Sequence, residues 1–373
     1  MKKALLFAPM SSVHERFNIA NIQALRELDY EVHLLANFSC DEHANEYKEK
    51  CIEQGLVIHD IPFSRHSLKS NLRFITRIRK LLVDEKYNIV HAHTETGGLL
   101  LRLSMSANKK TKYIYTAHGM SFYKGSSIKS QIIYRPIERF ICKKMDCNIA
   151  INKEEYDCLS RWKRQAAQFV HGAGFDLNSI VNAKVDINKK KAELGIPSDR
   201  PLILSVGELN ANKNHIVILK AIAKMKKEEQ PYLLICGEGE KENELSSFAN
   251  SVSYRDKLFL PGYRYDMPEI FHIADMFVFP SFHEGLSFAL MQAMAVGLPV
   301  ICSDIRGNND LIQNNTGGYT VNPNDYEELG ICIKSLLNSQ ALCRRFGNMN
   351  KGKIQIYSQE KVMNELKQIY YNV

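Results

Sequence analysis

The chain has 373 residues, enough for two domains of ordinary size that each bury a core. Apolar residues make up 45% and charged residues 24%, the balance of a soluble globular protein. No apolar run reaches the roughly 20 residues that span a bilayer, which argues against an integral membrane protein. The net charge of +8 lies wholly in the first half, with 27 Lys and Arg against 18 Asp and Glu through Phe175, then 22 against 23. A basic first half and a neutral second half imply different partners. The nine cysteines are scattered and form no C-x-x-C, so neither a zinc ribbon nor a disulfide framework is indicated. The opening MKKALLFAPM has a short apolar run followed by polar residues, and it reads as a first buried strand of a cytoplasmic protein rather than a signal peptide.

In chain order, apolar runs at Ala4–Ala8, Val32–Ala36, Val57–Ile61, Ile89–Ala92, Tyr113–Ala117 and Asn148–Ile151 predict strands. Helical patterns intervene at Phe17–Leu28, His43–Gln54 and Ser67–Val83. This alternation predicts a parallel sheet with helices on both faces. Ligands sit beyond the carboxyl ends of such strands, which draws attention to the loops Pro9–Phe17, His93–Gly98 and His118–Gly125. His91 and His93 are one residue apart at a strand end with no further ligand in view, and read as structural rather than metal-binding.

Two stretches of the first half are basic. Arg65, Lys69, Arg73 and Arg77 recur every four residues, opposite an apolar face of Leu68, Leu72, Ile75, Ile78 and Leu82. Lys124, Lys129, Arg135, Arg139, Lys143 and Lys144 follow, interleaved with Phe122, Ile132, Ile133 and Phe140. An anionic membrane surface is the favoured partner over two ordinary surface helices, and no recognition motif supports nucleic acid.

The pattern loosens around Ala173–Arg200, as in a linker, and then restarts. Strands are predicted at Leu202–Val206, Tyr232–Cys236, Leu258–Leu260, Met276–Phe279, Val300–Cys302 and Tyr319–Val321. Helices close the chain at Asp325–Leu337, Ala341–Asn348 and Glu360–Tyr371. After the first of these strands come Gly207, Glu208 and, further on, Lys213, a glycine for close backbone approach and a compact cation for phosphate. Gly237 and Gly239 look like part of a dinucleotide fingerprint, but Glu242 stands where the third glycine belongs, so a nicotinamide cofactor is set aside. After Met276–Phe279, Glu284 and Gly285 precede Leu286 and Ser287, a good N-cap type, and Gly297 and Pro299 stop the helix that follows. A helix N-terminus at a strand end is an anion site, and a carboxylate at its mouth suits a sugar. A Rossmann-like turn with a solvated Glu284 is the plainer alternative.

Glu284 and Gln292, separated by seven residues, together with His118-Gly119 and the Gly207-x-Leu209-x-x-x-Lys213-Asn214 run, resemble the donor site of the family-4 retaining glycosyltransferases. The resemblance covers nearly the whole chain and implies a GT-B fold of α/β class, two Rossmann-like domains facing each other across a cleft. It implies an acceptor domain at 1–175, a donor domain at 176–351 and a C-terminal helix, 352–373, crossing back to the first. Glu284 would orient sugar hydroxyls, His118 would bond the sugar, Lys213 would hold the diphosphate, and Gln292 would meet the ribose. Gly207, Glu208, Gly262, Arg264, Gly285, Leu286 and Ser287 would complete the donor site. The chain departs from the family at Gln292, where Glu is usual, and at Glu208, where Arg is usual; Arg264 or the helix amides are expected to compensate for the latter. The implied donor is a nucleotide diphosphosugar, UDP-sugar favoured, with no cofactor and no metal. The implied acceptor is a lipid-linked saccharide at the inner membrane face, in envelope polysaccharide synthesis. A nucleotide-sugar 2-epimerase and a non-catalytic sugar-nucleotide-binding protein are the alternatives.

Overall fold

The computed structural model describes residues 1–63, 68–105, 110–123 and 126–373, with backbone alone for 68–70 and 165. The chain divides into two units, Met1–Phe175 with Tyr357–Val373, and Asp176–Ile356. Each is a parallel α/β unit.

The first unit carries β1 (Lys2–Met10), β2 (Tyr30–Asn37), β3 (Val57–Asp60), β4 (Ile89–His93), β5 (Lys112–Ala117), β6 (Cys147–Ala150) and β7 (Ala167–Phe169). They form one sheet in the order β3-β2-β1-β4-β5-β6-β7. A strand covered on both faces must be apolar throughout, and the run Ala4–Ala8 is wholly buried. Its residues serve the two faces in alternation: Leu5 and Phe7 pack with Phe74, Ile78 and Leu101, while Ala4 and Leu6 pack with Leu25, Leu34 and Val362. The register is direct, with Phe7 opposite Leu35 on one side and Ala92 on the other.

The last helix, Gln359–Asn372, belongs to this unit. Ser358 caps it by accepting from the Lys361 amide, and Val362, Leu366, Ile369 and Tyr370 form its buried stripe at helical spacing. It lies along the helix Ile19–Glu27, where Lys367 pairs with Glu27 at 2.6 Å, and His171 Nδ1 meets Glu365 at 2.6 Å.

The second unit carries β8 (Leu202–Val206), β9 (Tyr232–Cys236), β10 (Leu258–Phe259), β11 (Met276–Phe279), β12 (Val300–Ser303) and β13 (Gly318–Val321), ordered β10-β9-β8-β11-β12-β13. Both sheets are thus doubly wound, with the strand order reversing beside the first strand of each unit.

Several elements differ from the sequence expectation. The stretch Pro9–Phe17 is not an open loop: β1 runs to Met10 and a helix spans Ser11–Phe17, burying Ser11 and His14. The linker region carries two short helices, Leu177–Val181 and Ile187–Glu193, capped by Asp176 and Asp186. In the helix Leu68–Glu85, Leu72 faces solvent at 65% exposure, and Phe74 takes the buried place with Ile78 and Leu82. Arg65, Lys124 and Gly125 lie outside the described residues, as does the Lys69 side chain.

Candidate functional site

In the second unit the order reverses between β8 and β11, so the loops after these two strands flank the crevice where doubly wound sheets bind ligands. The two loops are stitched together by asparagines. Asn212 Nδ2 donates to the His283 carbonyl at 3.0 Å, and the Phe282 amide donates to the Asn212 carbonyl at 2.8 Å. Asn214, at a left-handed φ of 54°, donates to the carbonyls of Pro280 at 3.2 Å and Pro323 at 2.8 Å. Asn210 Oδ1 accepts from the Lys213 amide at 3.0 Å, which turns the lysine inward.

The result is a cation and a carboxylate in contact. Lys213 Nζ lies 2.6 Å from Glu284 Oε1 and 5.0 Å from the centre of the Phe279 ring. Both are mostly covered, with side-chain exposures of 21% and 12%. The lysine stem lies across Gly207: a Cβ there would stand 3.0 Å from Lys213 Cδ. On the far side, a Cβ on Gly307 would fall 1.5 Å from the Gly285 carbonyl, so only glycine lets the loop after β12 close on the Glu284–Gly285 turn. Ser287 then caps the helix Phe288–Val296, its Oγ accepting from the Leu290 amide at 3.4 Å, and Gly297 ends it at φ 82°. That helix begins four residues after Glu284, and the free amides of a helix's first turn make a local field that suits a diphosphate.

Of the other donor-site candidates, Leu286 is partly exposed beside Gly285, and Gly262 lies at the next loop, its carbonyl accepting from the Gly237 amide at 2.9 Å. Gln292 lies on the helix, partly exposed, and its amide has no hydrogen-bond partner among the described residues. Glu208 is exposed and pairs with no cation among the described residues. Arg264 is already committed. It donates to Asp266 at 2.8 and 2.6 Å and to Glu193 at 2.9 Å, and Lys190 completes the network through Asp266 and Glu269 at 2.8 and 2.7 Å. In this arrangement its charge is matched by carboxylates rather than offered at the Glu208 position. Sequence reasoning missed the asparagine stitches, the Phe279 ring under Lys213 and Arg306, whose Nη2 donates to His283 Nε2 at 2.7 Å. Only the asparagine-rich run Asn210–Asn214 offered a signal.

His118 belongs to the first unit and follows β5. Its Nε2 is 3.0 Å from His93 Nδ1, and its ring lies 4.7 Å from that of Phe17. Burial lowers its pKa to about 4, so the ring is neutral near pH 7. Glu155 fixes the loop beyond it by accepting from the Met120 amide at 2.7 Å. His91 is engaged on both sides. Tyr370 gives its proton to Asn21 Oδ1 at 2.6 Å, so it accepts from His91 Nδ1 at 2.8 Å; His91 Nε2 then accepts from Thr116 at 2.7 Å. Among the described residues no group of three or more His, Cys, Asp or Glu could hold a metal ion.

Two family models match the chain, "Glycosyltransferase Family 4" over residues 14–171 and "Glycosyl transferases group 1" over residues 186–353. The chain is 27% identical to EpsD of Bacillus subtilis over 99% of this chain and 97% of that one. It is 26% identical to the UDP-Gal:alpha-D-GlcNAc-diphosphoundecaprenol alpha-1,3-galactosyltransferase of Escherichia coli, covering 82% and 81%. Among solved structures, a glycosyltransferase of Rickettsia africae superposes with a TM-score of 0.81 at 17% identity, covering 100% and 98%. The HepE protein of Anabaena in complex with UDP also gives 0.81, at 14% identity, over 100% of both chains.

Proposed function

Since the chain belongs to the family-4 glycosyltransferases of the GT-B fold, we propose that it moves a sugar from a nucleoside diphosphosugar to a lipid-linked saccharide with retention at the anomeric carbon. The observation that carries this is the Lys213–Glu284 contact at the β8/β11 switch point, a phosphate-type cation and a hydroxyl-type carboxylate side by side at a helix N-terminus. In this reading Lys213 and the helix amides take the diphosphate, Glu284 the sugar hydroxyls and Gln292 the ribose, and His118, in the first unit, bonds a sugar hydroxyl. Retention needs no protein nucleophile when the leaving diphosphate guides the incoming hydroxyl on the same face, and the residues then act by positioning and charge stabilisation. A UDP-sugar donor is favoured because the Escherichia coli relative is named for UDP-Gal and the Anabaena structure holds UDP. The same relative's name, and that of the capsular polysaccharide enzyme CapM of Staphylococcus aureus, favour a lipid-linked acceptor in envelope polysaccharide synthesis.

The test is a panel of UDP-sugars and GDP-mannose, scored by thermal shift and then by transfer to GlcNAc-diphosphoundecaprenol. We expect UDP-sugars to raise the melting temperature and an α-linked product to form. An inverted linkage, or no stabilisation by any nucleotide sugar, would sink the reading. Binding without turnover on any acceptor would favour a sensor.

The basic surface of the first unit bears on where this takes place. The helix Ile128–Cys142 turns Ile128, Ile132, Ile133 and Phe140 to solvent, at 43–78% exposure. Lys129, Arg135 and Arg139 are exposed on the same helix, and its single carboxylate, Glu138, is buried. Arg102 of the adjoining helix Thr94–Ser104 lies 4.6 Å over the Phe140 ring, which extends the patch. An acid-free face mixing aliphatic and cationic side chains suits anionic lipid headgroups at the inner face of the membrane. No described helix is long and apolar enough to cross a membrane. Each cation near such a surface is worth about 1 kcal/mol, so Arg135→Gln with Arg139→Gln should weaken binding to phosphatidylglycerol vesicles by roughly thirtyfold. Cosedimentation measures this. A wild-type protein that ignores anionic vesicles at low salt refutes the seat.

A further inference from the structure

The first unit has its own switch point. β1 and β4 are neighbours, with β2 and β3 on one side and β5 to β7 on the other, as β8 and β11 are in the second unit. Glu284 is the first carboxylate after β11, and Glu95 is the first after β4. The site after β4 is built with some care. β4 ends at His93, and Thr94 sits at φ 69°, the single β-branched residue among the positive-φ positions outside glycine in the described residues. Holding a β-branched residue there costs on the order of 1–3 kcal/mol. The turn starts the helix Thr94–Ser104 and places Glu95 in its first turn. Behind it Gly97 is pressed to β1, since a Cβ there would stand 3.3 Å from Pro9 Cδ.

Glu95 is partly buried, and its Oε2 accepts from Ser121 Oγ at 2.6 Å. Ser121 comes from the loop after β5, three residues beyond His118. Burial raises the Glu95 carboxyl, with the serine bond working against it. No Lys or Arg pairs with Glu95 among the described residues, although this unit is the basic one. One neutral donor leaves the other oxygen and further lone pairs unused. A half-buried carboxylate without a cation, at the point where a doubly wound sheet binds its ligand, has the chemistry of a site waiting for hydroxyl donors.

We infer that Glu95, anchored by Ser121, is the hydroxyl-binding carboxylate of an acceptor-saccharide site in the first unit, the counterpart of Glu284 on the donor side. The inference rests on the glycosyl-transfer reading above and assigns its acceptor specificity. A carboxylate accepts from two neighbouring ring hydroxyls, so the sugar recognised is neutral at that point, and one bearing a phosphate or carboxylate there is rejected.

The test is saturation-transfer NMR on the full chain with saturating UDP. The probes are methyl glycosides of glucose, galactose, N-acetylglucosamine and N-acetylgalactosamine. At least one glycoside should receive saturation from the wild type. Glu95→Gln should weaken that binding by about tenfold, because bonds to a charged acceptor exceed those to a neutral one by roughly that factor. Glu95→Asp, which keeps the charge but withdraws it by one methylene, should weaken it too. UDP affinity by calorimetry should stay within about twofold in both, which also confirms folding. Wild-type glycoside binding in either variant, or no glycoside contact in the wild type, overturns the inference. A wild type that binds a glycoside through Glu95 but fails to bind UDP overturns the donor reading instead and leaves the saccharide site standing.

Discussion

Glu284→Ala is expected to lower turnover by on the order of a hundredfold while leaving UDP affinity unchanged or improved. Hydrogen bonds from sugar hydroxyls to a carboxylate contribute roughly 1.5–3 kcal/mol each, and those lost from the transition state appear in kcat. The nucleotide should respond in the opposite sense. Lys213 is held at 2.6 Å by this same carboxylate, so a diphosphate must compete with Glu284 for the ammonium. Removing the competitor frees the cation. Initial rates with a UDP-sugar and calorimetry with UDP separate the two effects, with the melting temperature as a check on folding. A folded variant with near wild-type transfer ends the assignment of Glu284 to the sugar. A folded variant that loses UDP affinity as well as turnover shows that Glu284 acts by placing Lys213.

What could be read from the sequence followed from burial. Twelve of the thirteen described strands lie in runs rich in apolar residues, which parallel strands covered by helices favour, and strand-helix alternation then dictates doubly wound sheets. The missed strand, Ala167–Phe169, is a three-residue edge strand with the polar Gln168 in it, and it has no run to detect. The helix at Ser11–Phe17 was hidden for a related reason. Its cap residue Met10 makes no side-chain bond, and its buried members include Ser11 and His14, which read as loop chemistry. Within the donor site, glycines and a helix cap announce themselves locally, but the contact that defines it joins residues 71 positions apart. Glu95 illustrates the limit better still. Nothing in its neighbours marks it, and its meaning comes from the strand order that sets β4 beside β1, from Thr94's backbone and from a serine 26 positions away. Arg264 shows the converse, since a cation at a plausible place is matched by Asp266 and Glu193, neither of which its motif includes.

Acid should unfold the first unit before the second. Burial lowers the pKa of His14 to about 4, of His91 to about 3 and of His118 to about 4, and it lowers His33, His59 and His93 as well. In the second unit burial lowers His215, also to about 4. Each of these is neutral in the folded chain and takes a proton near pH 6.5 once unfolded. The unfolded state therefore binds more protons between the two values, and stability present above pH 6.5 is lost as the pH falls toward 4. Glu138 works the other way in the first unit. Its carboxyl is buried against Tyr115 and raised to about 8, so acidification from pH 8 to its unfolded value near 4.5 restores stability. One pKa unit is about 1.4 kcal/mol, so between pH 6.5 and 4.5 His14, His91 and His118 lose about 8 kcal/mol together and Glu138 returns about 3. The second unit loses about 3 through His215 over the same range. Its ion-pair network adds little there, because Arg264 and Lys190 lower the carboxyls of Asp266 and Glu193, and that stabilisation is lost only once the unfolded carboxyls protonate, near pH 4. Hydrogen exchange read by mass spectrometry at stepped pH should show β1, β4 and β5 losing protection near pH 5 while β8, β11 and β12 keep theirs. Loss of protection in both units at one pH, or in the second unit first, would show that the buried histidines do not control acid stability.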